Sequence, residues 1–141
     1  MNERYICRGK RKDSGVWIYG DLIIDQYGKY YIHPNTNAFS VNEYNLAKCI
    51  QMIEVIPETV GRCTGLKDKN GKRIFEGDVV LASSQKWRCA VVFDNENARF
   101  ICHTNDKPCR LVYVSMQYKD NTSALEVIGN IHDNPELLEE K

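Results

Sequence analysis

The feature that most constrains the fold is the shortness of the apolar runs. Each spans only a few residues, as in Leu22-Ile23-Ile24 and Val91-Val92-Phe93, and turn-forming residues separate them along the chain. Runs of this length suit β-strands, whereas a membrane-spanning helix needs about 20 apolar residues. The pattern therefore predicts a mainly β protein without a membrane segment. The polar, basic residues 1–12 lack the apolar core of a secretory signal, so we expect a cytoplasmic location.

Turn residues predict where the strands begin and end. Asp25-Gln26-Tyr27-Gly28 separates two strand-like runs and predicts a hairpin turn in which Gly28 takes a positive φ. Further strands are predicted over residues 16–19, 22–24, 79–81, 88–93, 98–102 and 111–118, the last from its strict alternation. Short helical additions are predicted over residues 42–52 and at the C-terminus, where Asn134 is suited to an N-cap and Pro135 to a first helical turn.

The length of 141 residues allows one domain or two small subdomains. Pro57-Glu58-Thr59-Val60-Gly61 is a natural joint, which predicts β-rich subdomains over residues 1–60 and 61–141. In the second, Glu76-Gly77-Asp78-Val79-Val80 resembles a strand entry of SH3-like barrels, in which Gly-Asp begins a curled strand. We therefore expect that subdomain to be barrel-like, an analogy that carries no function.

Two segments repeat the same order of residue types. Residues 12–23 and 67–80 each contain a Lys-Asp turn ending in Gly, an Ile-aromatic pair and a Gly-Asp step before an apolar strand. Each is later followed by a Glu-Val-Ile run, at residues 54–56 and 126–128. The pattern indicates either a duplicated β-unit or convergent turn chemistry. It places Asp21 and Asp78 at equivalent positions. Either both are turn carboxylates that accept hydrogen bonds from backbone N–H groups or, if they converge in space, they form an acid–base or cation site.

Catalytic, metal and cofactor patterns are missing from the sequence. The six cysteines form no Cys-x-x-Cys pair, and the spacing of Cys102, His103 and Cys109 matches no common zinc template, so we expect reduced thiols. Neither glycine-rich phosphate-binding motif occurs. No spacing marks a nucleophile with its base, and His132 is expected to have a structural role. We therefore predict a protein that is not an enzyme and has no cofactor.

Three stretches together resemble the YopX family of phage and prophage proteins. They are residues 8–22, residues 55–80, and the run Glu126-Val127-Ile128-Gly129-Asn130-Ile131-His132-Asp133-Asn134-Pro135 with the residues that follow it to Leu138. The resemblance implies a small, predominantly β, intracellular protein of Gram-positive bacteria or their phages. It carries over no catalytic residue and no established activity.

The N-terminal region combines cations with aromatic residues, a composition found in single-strand nucleic-acid binders. The chain as a whole nevertheless has nineteen basic and nineteen acidic residues, and residues 1–60 hold seven of each, so nucleic acid is disfavoured as a partner. Tyr and Arg are favoured at protein interfaces. We therefore predict a protein-binding module that recognises a host or phage protein and self-associates. The alternatives are a single-stranded RNA or DNA binder and a small-ligand binder. The candidate binding residues are Lys10, Arg11, Trp17, Tyr19, Asp21, Phe75 and Asp78.

Overall fold

The computed structural model describes residues 5–34, 52–82, 87–103, 108–110 and 124–138. It confirms a mainly β protein. The strands are β1 Cys7–Lys10, β2 Trp17–Ile24, β3 Tyr30–Pro34, β4 Ile53–Val55, β5 Gly61–Lys67, β6 Arg73–Phe75, β7 Asp78–Ala82, β8 Trp87–Asp94, β9 Arg99–His103, β10 Pro108–Arg110 and β11 Leu125–Asn130, with 3₁₀ helices at Pro57–Thr59 and Pro135–Leu138. The predicted helix over residues 42–52, apart from Met52, and the predicted strand over residues 111–118 lie outside the described residues.

The chain divides into two compact units, Met1–Arg62 and Cys63–Lys141. The division falls inside β5, and the boundary predicted between residues 60 and 61 lies at the start of that strand. The SH3-like character predicted for the second unit stays a prediction.

The strand ladder of the first unit closes on itself. β1, β2, β3 and β4 are antiparallel neighbours in that order. The chain just after β1 then pairs with β4, because Arg11 bridges to Val55, Lys12 N donates to Glu54 O at 3.0 Å and Ile56 N donates to Lys10 O at 2.9 Å. The start of β1 pairs instead with Gly61 and Arg62. A closed ladder leaves β4 without the free edge that invites further strand pairing.

A small core fills this ladder. Cys7, Ile32 and Val55 are buried, and Ile18, Leu22, Tyr30 and Val60 pack against them. Gly9 is placed directly against Val55, since a Cβ on Gly9 would lie 3.1 Å from the Val55 Cβ. Packing at this density leaves little room for added volume where the ladder closes.

Thr59 fixes the closing segment through its hydroxyl. The buried Thr59 Oγ1 accepts a hydrogen bond from Lys10 N at 2.9 Å and donates one to Ile56 O at 2.6 Å. Ile56 N in turn donates to Lys10 O. Ile56, which precedes the short 3₁₀ helix Pro57–Thr59, and Thr59 at its end therefore bind both main-chain polar groups of Lys10.

The prediction that Gly20 and Asp21 form a step between two strands is wrong. β2 runs without interruption through both residues, and Gly20 pairs with Pro34 of β3. A Cβ at Gly20 would lie 2.0 Å from His33 O, so glycine is needed for the close approach of β3. The predicted turn at the other end of this hairpin is confirmed, with Gly28 at φ 80° and Asp25 Oδ1 accepting from Tyr27 N and Lys29 N.

The second unit contains a five-stranded antiparallel sheet in the order β10-β9-β8-β7-β11. The remainder of β5 pairs with β6 through Cys63 and Phe75 and through Lys67 and Arg73. The core of this unit consists of Ile74, Val80, Ala82, Cys89, Val91, Cys102 and Leu125. The strands predicted over residues 79–81, 88–93 and 98–102 are therefore present with small shifts at their ends.

Two buried aspartates hold the turns of the second unit. Asp78 Oδ2 accepts from Phe75 N at 2.7 Å, across the turn in which Gly77 has φ 95°. Asp68 Oδ1 accepts from Asn70 N and Lys72 N, each at 2.9 Å. Both side chains are 1% exposed. The Asp78 carboxylate thus satisfies a buried backbone donor, and the Asp68 carboxylate fixes the turn that follows it.

The repeated turn and the repeated Glu-Val-Ile strand meet in both units. Lys12 bonds to Glu54 through its main chain and also forms an ion pair with it at 3.2 Å. In the second unit Lys69 N donates to Leu125 O at 2.8 Å, and its ammonium lies 3.4 Å from Glu126. The strand neighbours differ, since β4 lies beside β3 whereas β11 lies beside β7. The two repeats therefore share a local contact but not a strand order.

The C-terminal 3₁₀ helix follows Asn134, as predicted. The Asn134 side chain, however, bonds to a residue that precedes it in the chain. Its Oδ1 accepts from Asn130 N at 3.2 Å, and Asn130 Oδ1 accepts from His132 N and Asp133 N. A Cβ on Gly129 would lie within 2.7 Å of Asn134 Oδ1 and Leu137 Cδ1. The helix therefore packs closely on the last strand.

Substitution of Gly20 tests the close approach of β2 and β3. We expect Gly20→Ala to lower the free energy of unfolding by at least about 3 kcal/mol, because the new methyl group overlaps backbone atoms of His33. Gly28→Ala in the same hairpin is the control, since that position has open space and only the left-handed backbone costs about 1–2 kcal/mol. Urea denaturation measures both, and equal losses would contradict the steric explanation.

Substitution of Thr59 tests the closure of the first unit. Thr59→Val keeps the shape but removes the hydroxyl, which leaves Lys10 N without its acceptor, and we expect a loss of about 1–3 kcal/mol. Thr59→Ser retains the hydroxyl and should lose less. Thermal unfolding of the three proteins compares them, and a valine variant as stable as the parent would show that the bond contributes nothing.

Candidate functional site

Side-chain alternation along β2 separates the first unit into an inner and an outer face. Ile18 and Leu22 point into the core, so Trp17, Tyr19 and Asp21 point to the other side. The cross-strand register adds the residues directly opposite them on β1 and β3. We define the outer face as Arg8, Lys10, Trp17, Tyr19, Asp21 and His33.

An aromatic ring with two cations lies at one end of this face. The Arg8 guanidinium carbon is 4.7 Å from the centroid of the Trp17 ring, and the Lys10 ammonium is 5.5 Å from it. Cations at these distances are attracted by the negative face of the indole. Arg8 is only 5% exposed, while the neighbouring Tyr19 is 42% exposed. The cluster therefore combines a fixed cation and aromatic pair with an accessible tyrosine.

The two cations that follow β1 are paired with carboxylates. Arg11 forms a two-point contact with Asp13 at 2.8 and 2.9 Å. The hydrogen bond from Arg11 lowers the pKa of Asp13, and the same bond raises the pKa of Arg11. Lys12 is paired with Glu54 at 3.2 Å. These pairs reduce the positive potential that the sequence cluster suggests.

The far end of the outer face mixes charges and hydrogen-bonding groups. Asp21 is exposed and lies opposite His33 in the β2–β3 register. Tyr31, on the same side of β3, donates to Asp25 Oδ2 at 3.4 Å, and desolvation with the nearby charges of Asp25 and Glu54 raises its pKa. Backbone donors, first Lys29 N and then Tyr27 N, lower the pKa of Asp25. The face is therefore polar and close to neutral away from Trp17.

The structure separates the predicted binding residues into two groups. Lys10, Trp17, Tyr19 and Asp21 share the outer face, and Arg11 lies just beyond the end of β1. Phe75 and Asp78 belong to the second unit and are 3% and 1% exposed. Their side chains are interior, so they offer no surface to a partner and are excluded from the site. Asp21 and Asp78 are also not equivalent, because one is an exposed mid-strand residue and the other a buried turn carboxylate.

Arg8 and His33 were not among the predicted binding residues. Arg8 carries a sequence signal, since its spacing of two from Lys10 places both on one side of a strand. His33 could be placed on this face only through the register of β2 and β3, which is a long-range property. The buried Asp68 likewise had no local signal that distinguishes it from Asp13.

The described residues hold no group of three or more His, Cys, Asp and Glu side chains that could bind a metal ion. Cys7, Cys63, Cys89 and Cys102 are buried. A hydrogen bond with Cys102 lowers the pKa of Cys89. Within the same described ranges, no helix is long and apolar enough to cross a membrane.

Comparison with known proteins shows to which family the chain belongs. No curated protein sequence matches it. The crystal structure of protein EF1440 from Enterococcus faecalis resembles it with a TM-score of 0.53 and 24% identity, over 94% of this chain and 96% of the other. At this identity the similarity shows a shared fold. The family described as YopX protein matches residues 7–139, nearly the whole sequence. The chain belongs to the YopX family.

Proposed function

We propose that this chain is a non-catalytic protein-binding module that self-associates and uses the outer face of the first unit as its contact surface. The observation that carries the proposal is the cluster of Trp17 with Arg8 and Lys10 beside the accessible Tyr19. Trp, Tyr and Arg are the residue types most enriched among those that contribute most to binding at protein interfaces. In this proposal the module serves a phage or prophage in the cytoplasm of its bacterial host.

The geometry of the cluster suits a protein partner for two reasons. Arg8 is buried and lies over the Trp17 ring, so it holds the indole in one orientation before a partner approaches. Tyr19 adds a rigid apolar ring with a polar hydroxyl at its end, which can be buried at low entropic cost. A partner with an apolar residue next to an acidic one matches this end of the face.

A single-stranded nucleic-acid binder is the second candidate, because Lys10, Trp17 and Tyr19 do share one face. Two features count against it. Arg11 and Lys12 are engaged by Asp13 and Glu54. A base stacking on the same side of Trp17 would also compete with the two cations that lie over the ring.

Alanine substitutions on the outer face test the protein-binding proposal. We expect Trp17→Ala and Tyr19→Ala each to weaken self-association, and the capture of a partner from nuclease-treated host lysate, by at least about 30-fold, the equivalent of about 2 kcal/mol. Light scattering over a concentration series measures the first effect and quantitative pull-down the second. Tyr27→Ala is the matched control, since Tyr27 is 79% exposed in a turn away from the face. A strictly monomeric parent protein that captures no partner would refute the proposal.

A titration with labelled single-stranded oligonucleotides separates the two candidates. The protein-binding proposal predicts no saturable binding even at low salt. A nucleic-acid site would instead bind with an affinity that falls steeply as salt rises, and Lys10→Ala, Arg11→Ala and Trp17→Ala would weaken it. That outcome would replace the proposed function with the second candidate.

A further inference from the structure

The turn between β5 and β6 contains Asn70-Gly71, the only place in the sequence where glycine follows asparagine. Both residues are exposed. Gly71 has φ 84°, and a Cβ built on it would meet no described atom within 4 Å. Asparagine is a labile residue, because the backbone nitrogen that follows it can attack its side-chain amide. In this turn the labile amide is followed by a residue whose nitrogen no side chain shields.

The other asparagines that the structure describes are better protected. The Asn97 side chain donates to Asp94 Oδ2 at 2.8 Å, whereas within the described residues the Asn70 side chain makes no hydrogen bond. Asn134 precedes Pro135, whose nitrogen has no proton to lose. In the remaining two cases the next residue has a long side chain, and these are Asn95 and Asn130. Asn70 is therefore the most reactive asparagine in the described part of the chain.

We propose that Asn70 is a site of spontaneous deamidation in the folded protein. Gly71 N attacks Asn70 Cγ, the new N–C bond closes a succinimide ring, and the C–N bond of the side-chain amide breaks. The proton lost by Gly71 N passes through solvent to the leaving nitrogen, which departs as ammonia. Water then opens the ring at either carbonyl carbon and gives aspartate or isoaspartate. The reaction consumes water alone, and it is independent of the contact surface proposed above.

The fold restrains this reaction through Asp68. Gly71 N donates to Asp68 O at 2.9 Å, so the attacking nitrogen is held in the turn. Asp68 Oδ1 accepts from Asn70 N and Lys72 N, each at 2.9 Å. The carboxylate is itself anchored, since it is 1% exposed and its Oδ2 accepts from Val127 N at 3.1 Å. The amide reacts only while the turn is open, and such local openings occur at a fraction of the free energy of global unfolding.

The isoaspartate product changes the turn that holds it. The main chain then runs through the former side chain and is longer by a methylene group, so Asn70 N and Lys72 N can no longer both meet Asp68 Oδ1 as they do now. A new carboxylate also lies close to the buried one. The turn's bond to β11, from Lys69 N to Leu125 O at 2.8 Å, is weakened as a result. The modified chain is a less stable form of the second unit that accumulates with age.

Incubation of the unsubstituted chain at neutral pH, in buffer and in urea, measures the reaction. Cleavage after glutamate releases residues 59–76 for mass spectrometry, and enzymatic methylation identifies isoaspartate. We expect Asn70 to react in the native protein, about 10–100-fold more slowly than in urea because the turn must open first. The rate should rise with pH, since the attacking nitrogen must lose a proton. Native conversion at Asn70 should also be faster than at Asn95, Asn97 or Asn130.

Three variants separate the site, the restraint and the consequence. Asn70→Gln keeps an amide but closes its ring far less readily, so this peptide should stay unmodified. Asp68→Ala removes the restraint and should raise the native rate at least about fivefold, with circular dichroism as the check on folding. Asn70→Asp adds the charge without the extra methylene group. The isoaspartate form, separated by ion exchange, should unfold at lower urea concentration than Asn70→Asp.

The results that overturn the proposal are equally specific. It is wrong if the native chain forms neither aspartate nor isoaspartate at Asn70, or if another described asparagine reacts first. The restraint by Asp68 is wrong if the rates in buffer and in urea are equal, a comparison that needs no variant to fold. The consequence for the turn is wrong if the isoaspartate form is as stable as Asn70→Asp.

Discussion

The first unit depends on the pairing between the end of β1 and β4. Lys10 lies at this junction, with its carbonyl bonded to Ile56 N and its N–H bonded to the Thr59 hydroxyl. The opposite residue on β2 is Trp17, so the register that closes the ladder also fixes the outer face. Because backbone polar groups cannot be buried unpaired, these bonds determine the position of the strand and hence of its side chains. The cluster around Trp17 is therefore a result of how the ladder closes.

In each unit a strand edge forms hydrogen bonds with a neighbouring segment of the chain: the edge of β4 in the first unit and the edge of β11 in the second. In the first, main-chain atoms of Lys10, Arg11 and Lys12 pair directly with β4. In the second, one main-chain bond from Lys69 is combined with the side chain of Asp68. A side chain can be replaced by a single substitution whereas a backbone pairing cannot, so the second edge is easier to open during evolution than the first.

Local sequence patterns correctly predicted the features that depend on residues close together in the chain. The hairpin turn at Gly28, most strands and the C-terminal helical turn follow from turn residues, periodicity and spacing. The shared side of Lys10, Trp17 and Tyr19 also follows once their strands pair. The failures concern tertiary contacts. Gly20 has the same Gly-Asp context as Gly77, yet one permits the approach of a neighbouring strand and the other makes a turn. Whether an aspartate is buried, as Asp68 is, depends on a strand 59 residues away.

The position of the division between the two units affects how the chain can be dissected. It falls within β5, where Gly61 and Arg62 pair with β1 while Cys63 and Lys67 pair with β6. A truncation at this point leaves both partners of β1 in the first fragment but divides β5 between the two fragments. Two separately expressed fragments would each lack part of a strand, so recombination or domain shuffling at this boundary is disfavoured. Selection is expected to keep or lose the two units together.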